Sequence, residues 1–449
     1  MAAAPLIMQT TYAELVERCA AAAFKEAFPE GGTFVPKTIK ERRYWYFQMP
    51  ASKGRGQRYV GPETPELLER IAHHREIRDD ERERQVLISA LARSFGMPKP
   101  HDEIGEVVAA LARAGIFRLR AVLIGTVAYQ TYSAMLGIRL PASALSTEDV
   151  DIAQFRNVSI AVQDEIPPVL DVLRQVDASF GAVPHPDDSR RSTSYLARRG
   201  LRVDFLTPNV GPDTDEPQTL PALRTDAQPL RFLDFLIHDP EPAVVLHGAG
   251  IYVHVPIPER YAVHKLIVAR RRRIGTAKSD KDIIQSQALI TVLAQKRPHQ
   301  LKAAWDEALA RGRTWEANLA ESVVGLLPAP RDALLKAVEW RREMIAGLEL
   351  KLDEVAARYD FDRDVVIFGG RDNGGPIRCE ISREALEDHF EADGLPKEGR
   401  IEQFRKNRSL IGRMAVAKYR SFPIEEPGVV LIRTEEVERL RRLVGVSSV

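Results

Sequence analysis

Cysteine is scarce in this chain of 449 residues, which contains only Cys19 and Cys379. Two cysteines exclude a disulfide framework and a cysteine-rich zinc site. The sequence also lacks an apolar run long enough to span a bilayer, and its start lacks the charged and apolar segments of a secretory signal. We therefore expect a cytoplasmic protein with no membrane partner.

An excess of charge of either sign is also missing, because 64 basic residues oppose 63 acidic ones. A balanced charge gives no global signal for nucleic-acid binding, so any RNA site must be local. Local basic segments occur at Arg190-Arg191, at Arg270 to Arg273, and at Lys53 and Arg55 within an aromatic segment from Tyr44 to Tyr59. The aromatic segment predicts a β-hairpin, either packed on a neighbouring helix or used to stack bases.

Several catalytic signatures are missing as well, namely the phosphate loop, the nucleophile elbow and the zinc-binding His-Glu-x-x-His helix. The glycine-rich stretch from Gly369 to Gly375 has neither the lysine nor the spacing of a phosphate loop. The hydrophobic share of 44% is nevertheless sufficient for sizeable buried cores. We therefore expect a folded protein of several domains.

Three aspartates carry the strongest chemical signal that is present. Asp149 and Asp151 stand one residue apart in the segment TEDVDI, and Asp204 stands in the segment RVDF. Side chains alternate between the two faces of a strand, so Asp149 and Asp151 should share one face while Val150 and Ile152 enter a core. Carboxylate oxygens are ligands that suit Mg²⁺. The pattern therefore predicts a metal site at a strand edge.

A glycine turn precedes these strands. Residues Ala121 to Ile124 form a short apolar segment that predicts a buried strand, and Gly125-Thr126 then leads into a helical pattern from Val127 to Leu136. Backbone N–H groups at such a helix start can bind phosphate. Glycine permits a close approach of the ligand, and Thr126 adds a hydroxyl donor.

This order of elements resembles the nucleotidyltransferase superfamily built on the DNA polymerase β palm, over roughly residues 100 to 295. The Thr-Glu-Asp-Val-Asp strand and the later His264-Lys265-Leu266 resemble a bacterial branch related to toxins that add nucleotides to transfer RNA. The interval between Gly125 and Asp149 is longer than in many members of the superfamily. Residues 137–142 inside it could form an added hairpin or loop.

The resemblance implies transfer of a nucleoside monophosphate from an NTP to an acceptor hydroxyl, with release of pyrophosphate. Asp149 and Asp151 would hold two Mg²⁺ ions, and Asp204 would complete one metal shell and take the acceptor proton. Gly125 and Thr126 would bind the triphosphate.

Three further residues are candidates for nucleotide binding. Lys265, in a helix opened by Pro258, would contact the triphosphate as in relatives, and the alternative is an ordinary solvated lysine. Lys281 resembles the lysine of the family's lysine–aspartate pair, and the alternative is a capped surface helix in which Lys281 and Asp282 pair. Ser192 lies in a polar segment that would touch the nucleotide or only form a hairpin.

The sequence leaves the acceptor open. An RNA 3′ hydroxyl, as in the transfer RNA targets of the toxin relatives, a protein side-chain hydroxyl or a small molecule would each fit. An antitoxin or another protein partner also follows from the toxin resemblance. A non-catalytic nucleotide-binding regulatory protein is a further alternative, but a degenerate site usually loses a carboxylate, and all three aspartates are present.

The expected fold class is α+β, with a polymerase β-like palm of mixed sheet and helices, helical regions and a small C-terminal α+β domain. The expected domains are an N-terminal helical region with an aromatic β-hairpin (1–100), the palm (101–297), a helical bundle region (298–358) and a C-terminal α+β accessory domain (359–449).

Local patterns add detail to these domains. Residues 63–95 predict one charge-rich helix, and the tryptophans Trp305, Trp315 and Trp340 are spaced for core contacts. Residues 361–449 resemble a small bacterial domain of unknown role, in which Cys379 is predicted to be a buried strand residue. Ser382 is predicted to cap the helix that follows it.

Overall fold

The structure is a computed structural model that describes residues 5–28, 32–39, 41–49, 56–72, 74, 81–271, 277–339, 351–352, 357–372, 375–421 and 429–444. Two compact units make up the chain, Met1–Tyr261 and Ala262–Val449. Both combine helices with β-sheets, so the predicted α+β class is confirmed. None of the helices in these described ranges has the length and apolar character needed to cross a bilayer.

Helices and strands are interspersed along the first unit. The helices are α1 (Leu6–Ala27), α2 (Pro65–Ala72), α3 (Glu81–Ser89), α4 (Asp102–Ala114), α5 (Gly125–Leu136), α6 (Arg156–Ala161), α7 (Val169–Arg174) and α8 (Leu233–Ile237). The strands are β1 (Thr33–Ile39), β2 (Arg42–Gln48), β3 (Gln57–Pro62), β4 (Val122–Ile124), β5 (Asp149–Ala153), β6 (Gly181–Val183), β7 (Ser194–Leu196), β8 (Arg202–Pro208), β9 (Gln218–Leu220), β10 (Thr225–Leu230), β11 (Glu241–Val245) and β12 (Ile251–Val255).

Helix α9 (Pro258–Arg271) begins in the first unit and ends in the second. The later helices are α10 (Ala277–Lys296), α11 (Pro298–Ala310), α12 (Arg313–Val324), α13 (Pro328–Ala337), α14 (Arg383–His389), α15 (Lys397–Lys406), α16 (Arg408–Ser421) and α17 (Thr434–Leu443). The later strands are β13 (Lys351–Leu352), β14 (Arg358–Asp360), β15 (Val365–Asp372), β16 (Gly375–Ser382) and β17 (Val429–Ile432).

A mixed seven-stranded sheet forms the centre of the first unit. Strand β5 pairs antiparallel with β4 on one side and parallel with β8 on the other. Strand β8 then pairs antiparallel with β7 near its start and parallel with β10 near its end. Strands β6 and β9 extend β7 and β10, respectively. This arrangement is the mixed sheet with helices that the sequence predicts.

A separate antiparallel sheet of β1, β2 and β3 lies in the N-terminal region. The predicted aromatic hairpin is present as β2 and β3, but β1 adds a strand that the sequence analysis did not predict. Tyr46, Phe47 and Tyr59 are buried, with exposed fractions of 1, 0 and 4%, so they pack in the interior and cannot stack bases. The predicted basic tip with Lys53 and Arg55 lies outside the described residues.

A partly buried ion pair contacts strand β3 of the N-terminal sheet. Arg118 pairs with Asp164 and donates a hydrogen bond to the carbonyl of Tyr59 at 2.9 Å. Asp164 in turn accepts a hydrogen bond from the backbone N–H of Tyr59 at 2.8 Å. The backbone N–H and the backbone carbonyl of Tyr59 in β3 are therefore both hydrogen-bonded to this ion pair.

Residues 63–95 do not form the single helix that their charge pattern predicts. Within the described residues of this range, α2 ends at Ala72, α3 begins at Glu81, and a π-helical turn follows at Ala90–Ser94. Helix α2 has no fully buried residue. The interpretation of residues 63–95 as one helix was wrong.

The second unit combines a helical region with a small α+β region. Trp305 and Trp315 are buried as predicted, with exposed fractions of 0 and 9%, whereas Trp340 lies outside the described residues. Strands β15 and β16 pair antiparallel. Cys379 is fully buried in β16, and the Ser382 hydroxyl accepts a hydrogen bond from the Ala385 N–H at 3.2 Å. The predicted strand and cap are both confirmed.

Candidate active site

The register of two parallel strands places the three aspartates together. Asp151 of β5 is the direct neighbour of Asp204 of β8, and Asp149 is the neighbour of Arg202. Neighbours in register point to the same side of a sheet, and side chains two residues apart on a strand also share a side. Asp149, Asp151, Asp204 and Arg202 therefore lie on one face, which we call the carboxylate face.

The opposite face of the same strands is the core. Val150, Ile152, Val203 and Phe205 are each fully buried, with exposed fractions of 0%. Asp149, Asp151 and Asp204 are only partly buried. The strand alternation predicted from the sequence is thus confirmed, with apolar side chains on one side and carboxylates within reach of solvent on the other.

Gly125 lies directly beside the carboxylate face. Its neighbour Ile124 pairs with Asp151, and helix α5 starts at the glycine itself. Gly125 has a positive φ of +66°, and a Cβ atom at this position would lie 2.0 Å from Oδ2 of Asp151. The Tyr261 hydroxyl, which is buried, donates a hydrogen bond to the Gly125 carbonyl at 3.0 Å. Only glycine fits a turn this close to the carboxylate.

Helix α5 begins where a phosphate-binding turn was predicted. Thr126, the second residue of α5, is buried with an exposed fraction of 8%. A helix of twelve residues presents unbonded N–H groups at its start, and its dipole favours an anion there. The role of Gly125 and Thr126 in triphosphate binding stays a prediction.

Arg202 and Ser194 hold Asp204. The Arg202 Nε–H donates to Oδ1 of Asp204 at 2.7 Å, and the Arg202 Nη2–H donates to the Ser194 hydroxyl at 2.9 Å. The Ser194 hydroxyl donates to the same Oδ1 atom of Asp204. The hydrogen bond to Asp204 raises the pKa of Arg202, and the charges of Asp149 and Asp151 contribute to this rise. A guanidinium therefore partly neutralises the carboxylate face.

The donor chemistry of this face fits a divalent cation such as Mg²⁺. Three carboxylates on adjacent strands supply the hard oxygen ligands that Mg²⁺ takes. Across the described residues, no group of three or more His, Cys, Asp or Glu side chains that could hold a metal ion is found. Asp149 and Asp151 would be the principal ligands, and Asp204 would contribute an oxygen beside its contact with Arg202. The three-aspartate metal site stays a prediction.

The remaining predicted site residues have structural partners. The Lys265 ammonium lies 2.5 Å from Oδ1 of Asp282, and only 12 and 3% of the two side chains are exposed. Lys265 is therefore not an ordinary solvated lysine, and its contact with a triphosphate stays a prediction. Lys281 is partly buried in α10. The Ser192 hydroxyl donates a hydrogen bond to the Ser194 carbonyl at 2.7 Å, a local contact that favours the hairpin alternative, and contact of Ser192 with the nucleotide stays a prediction.

The Lys265–Asp282 pair leads to a stability prediction. We expect Lys265→Met to lower the free energy of unfolding by about 3–5 kcal/mol, because it leaves a buried carboxylate without this cation. Urea unfolding measures the effect. Lys265→Met combined with Asp282→Leu should recover much of the loss, whereas an additive further loss in the double variant would contradict a coupled pair.

Of the predicted basic segments, Arg190 and Arg191 lie within ion-pair distance of carboxylates, and others lie partly outside the described residues. Arg191 lies 2.7 Å from Asp226, and Arg190 lies 3.1 Å from Asp188. In the run from Arg270 to Arg273, the last two residues lie outside the described residues. Arg191 is therefore compensated, whereas Arg190 is 88% exposed and gains little from its surface pair.

Sequence reasoning missed Arg202, Ser194 and Tyr261 as contributors to the site. Arg202 lies two residues before Asp204 on the same strand, so the alternation of side chains alone could have placed it on the carboxylate face. Tyr261 is far from Gly125 in sequence, and only the tertiary packing of α9 brings its hydroxyl to the glycine.

Comparison with known families agrees with this geometry. Residues 102–310 match the family model described as nucleotidyltransferase, and this segment contains Gly125 and all three aspartates. Residues 354–432 match the model described as protein of unknown function (DUF1488). No curated protein and no solved structure matches the chain. The chain therefore carries a nucleotidyltransferase domain at residues 102–310, followed by a DUF1488 domain at residues 354–432.

Proposed function

We propose that this chain is an Mg²⁺-dependent enzyme that moves a nucleoside monophosphate from an NTP to an acceptor hydroxyl. One observation carries the proposal: Asp149, Asp151 and Asp204 share a face beside the Gly125 turn, inside the segment that matches the nucleotidyltransferase family. Such a face would combine cation ligands with a helix start that could bind phosphate. The combination suits transfer of a phosphate-bearing group.

In this reaction the acceptor oxygen bonds to the α-phosphorus of the NTP while the bond to the leaving pyrophosphate breaks. Two Mg²⁺ ions, when bound by Asp149 and Asp151, would neutralise charge on the attacking and leaving oxygens. Asp204 would accept the proton of the acceptor hydroxyl. The backbone N–H groups at the start of α5 would orient the triphosphate.

We favour RNA as the acceptor, and the 3′ end of transfer RNA within that class. The resemblance to toxins that add nucleotides to transfer RNA supports this choice, and it also implies regulation by an antitoxin or another protein partner. Nucleotidylation of a protein side chain is the alternative.

Labelling with each of the four NTPs tests the proposal. The protein is incubated with one α-³²P-labelled NTP, Mg²⁺ and either total RNA or cell lysate, with Asp149→Ala as the background control. Label on RNA that depends on Asp149 is the expected result. Label on protein alone would favour protein nucleotidylation, and no label on any molecule would favour a regulatory nucleotide-binding role.

Arg202 gives a more specific prediction as a positioning residue for Asp204. Arg202→Gln should lower kcat by about tenfold, because Asp204 loses a charge-assisted hydrogen bond, and should leave the NTP KM nearly unchanged. Binding of Mn²⁺ without nucleotide, measured by electron paramagnetic resonance, should become tighter because a competing positive charge is gone. Arg202→Lys should restore the rate only in part, because lysine cannot reproduce both guanidinium contacts.

The matched control is Arg198→Gln, at an exposed arginine that precedes β8. It should change neither kcat nor Mn²⁺ binding. Weaker Mn²⁺ binding in Arg202→Gln would show instead that Arg202 supports the fold of the carboxylate face.

A further inference from the structure

The second unit contains a cavity of about 790 Å³ whose charged lining residues are all basic. We call it the cationic cavity, and its five basic residues are Arg331, Arg405, Lys406, Arg408 and Arg413. They come from α13, α15 and α16. Three helices thus bring five positive charges to one space, and no carboxylate occurs among the lining residues that the structure describes.

Four of these cations, Arg331, Arg405, Lys406 and Arg413, receive little compensation from carboxylates of the described residues. Arg405 lies 3.7 Å from Glu402, but 58 and 56% of the two side chains are exposed, and such surface pairs contribute little. Within the described residues, Arg331, Lys406 and Arg413 have no carboxylate at ion-pair distance. Neighbouring like charges repel, so an anion in the cavity would be favourable.

Helix stability explains only part of this arrangement. Arg405 and Lys406 occupy the last turn of α15, where cations stabilise the helix end. Arg408 is the first residue of α16, and Arg331 lies in the first half of α13. The helix dipole disfavours a cation near a helix start, so it does not account for Arg331. Arg408 lies over the Phe404 ring, with 5.9 Å between the guanidinium carbon and the ring centroid.

Exposed leucines line the same space. Leu327, Leu352 and Leu443 are 50, 37 and 40% exposed, and all three border the cationic cavity. A ligand that satisfies both kinds of surface carries phosphates together with flat, weakly polar groups. Single-stranded nucleic acid has this composition, since its bases can lie on apolar surface while its phosphates contact cations.

We propose that the cationic cavity binds a single-stranded RNA segment through its phosphates. The choice of RNA among phosphate-bearing ligands rests on the proposed transfer to an RNA acceptor, whereas the charge argument stands without it. Helices α15 and α16 lie within the DUF1488 segment, so this domain would retain the RNA substrate.

Fluorescence anisotropy of the full chain with a labelled single-stranded RNA of about eight nucleotides tests this proposal at low salt, without NTP or Mg²⁺. Arg331→Glu and Arg413→Glu should each raise Kd by about tenfold, the loss expected for one charge-assisted phosphate contact. The slope of log K against log salt should also flatten by about 0.7 for each lost contact.

Arg313→Glu is the matched control, because Arg313 is an exposed arginine of the same unit outside the cavity. It should leave Kd unchanged. If a glutamate variant melts below the unmodified protein, Arg331→Gln and Arg413→Gln replace it and should show the same direction. Unchanged RNA affinity in the cavity variants, equal loss in Arg313→Glu, or no RNA binding by the unmodified protein would each overturn the proposal.

Sedimentation with phosphatidylserine vesicles separates RNA from a lipid headgroup as the phosphate source. Loss of vesicle binding with retained RNA binding in the cavity variants would also overturn the RNA proposal. The two proposals can be contradicted independently. If RNA binds but is never labelled, only the proposal that RNA is the acceptor is overturned. RNA that is labelled while the cavity variants bind normally removes the cavity proposal alone.

Discussion

Asp151→Ala should lower NTP-dependent transfer by at least ~10²- to 10³-fold, the range typical of losing one electrostatic stabiliser of the transition state. Removal of this carboxylate takes away a predicted metal ligand and one negative charge that would attract the cation. The fold should persist, because Asp151 lies on the carboxylate face while its neighbours Val150 and Ile152 form the core on the other side. Single-turnover transfer of labelled nucleotide, together with thermal melting, measures both effects.

Asp149→Ala should behave like Asp151→Ala, since both side chains share the carboxylate face. Asp187→Ala is the matched control, because its side chain is 81% exposed on a loop of the same unit. If both active-site variants keep activity within a few fold while Mg²⁺ is still required, the metal is held elsewhere in the chain.

Gly125→Ala should lower transfer about as strongly as Asp151→Ala, by ~10²-fold or more. A methyl group at Gly125 would stand 2.0 Å from Oδ2 of Asp151, far inside any allowed contact. Either the carboxylate or the start of α5 must then move, and both belong to the predicted site. The positive φ of +66° adds a backbone cost of about 1–2 kcal/mol, which urea unfolding would detect.

Gly200→Ala separates the backbone cost from the collision. Gly200 also has a positive φ, of +95°, but nothing lies within 4 Å of the position of its missing Cβ. Gly200→Ala should therefore lower the free energy of unfolding by a similar amount, because of the backbone strain, and should leave the transfer rate unchanged. Equal rates in Gly125→Ala and Gly200→Ala would show that the position of the Asp151 carboxylate is unimportant for transfer.

The sequence predicted the elements of the site better than their arrangement. Strand alternation placed Asp149 and Asp151 on one face because that periodicity is a local property of the chain. The pairing of Asp151 with Asp204 depends on which strands become neighbours, and no local pattern specifies that. The same limit applies to the hydrogen bond from Tyr261 to Gly125, which joins distant segments.

Two errors in the N-terminal region have local causes. Strand β1 contains Pro36, and a proline argues against a strand because it cannot donate to the ladder. The structure places β1 at an edge of its sheet, where such a residue is tolerated. The charge pattern of residues 63–95 could not reveal that α2 and α3 are separate helices, because charge alternation on a solvated surface carries no signal for a helix end.

Helix α9 limits where this protein can be cut. The first compact unit ends at Tyr261, whereas the family match continues to residue 310. Helix α9, from Pro258 to Arg271, crosses this boundary. A fragment that ends at Tyr261 would keep the tyrosine that binds the Gly125 carbonyl but only the first turn of its helix. One turn is too short to be stable alone. A fragment that carries the carboxylate face and keeps the hydrogen bond from Tyr261 therefore has to extend at least to the end of α9 at Arg271.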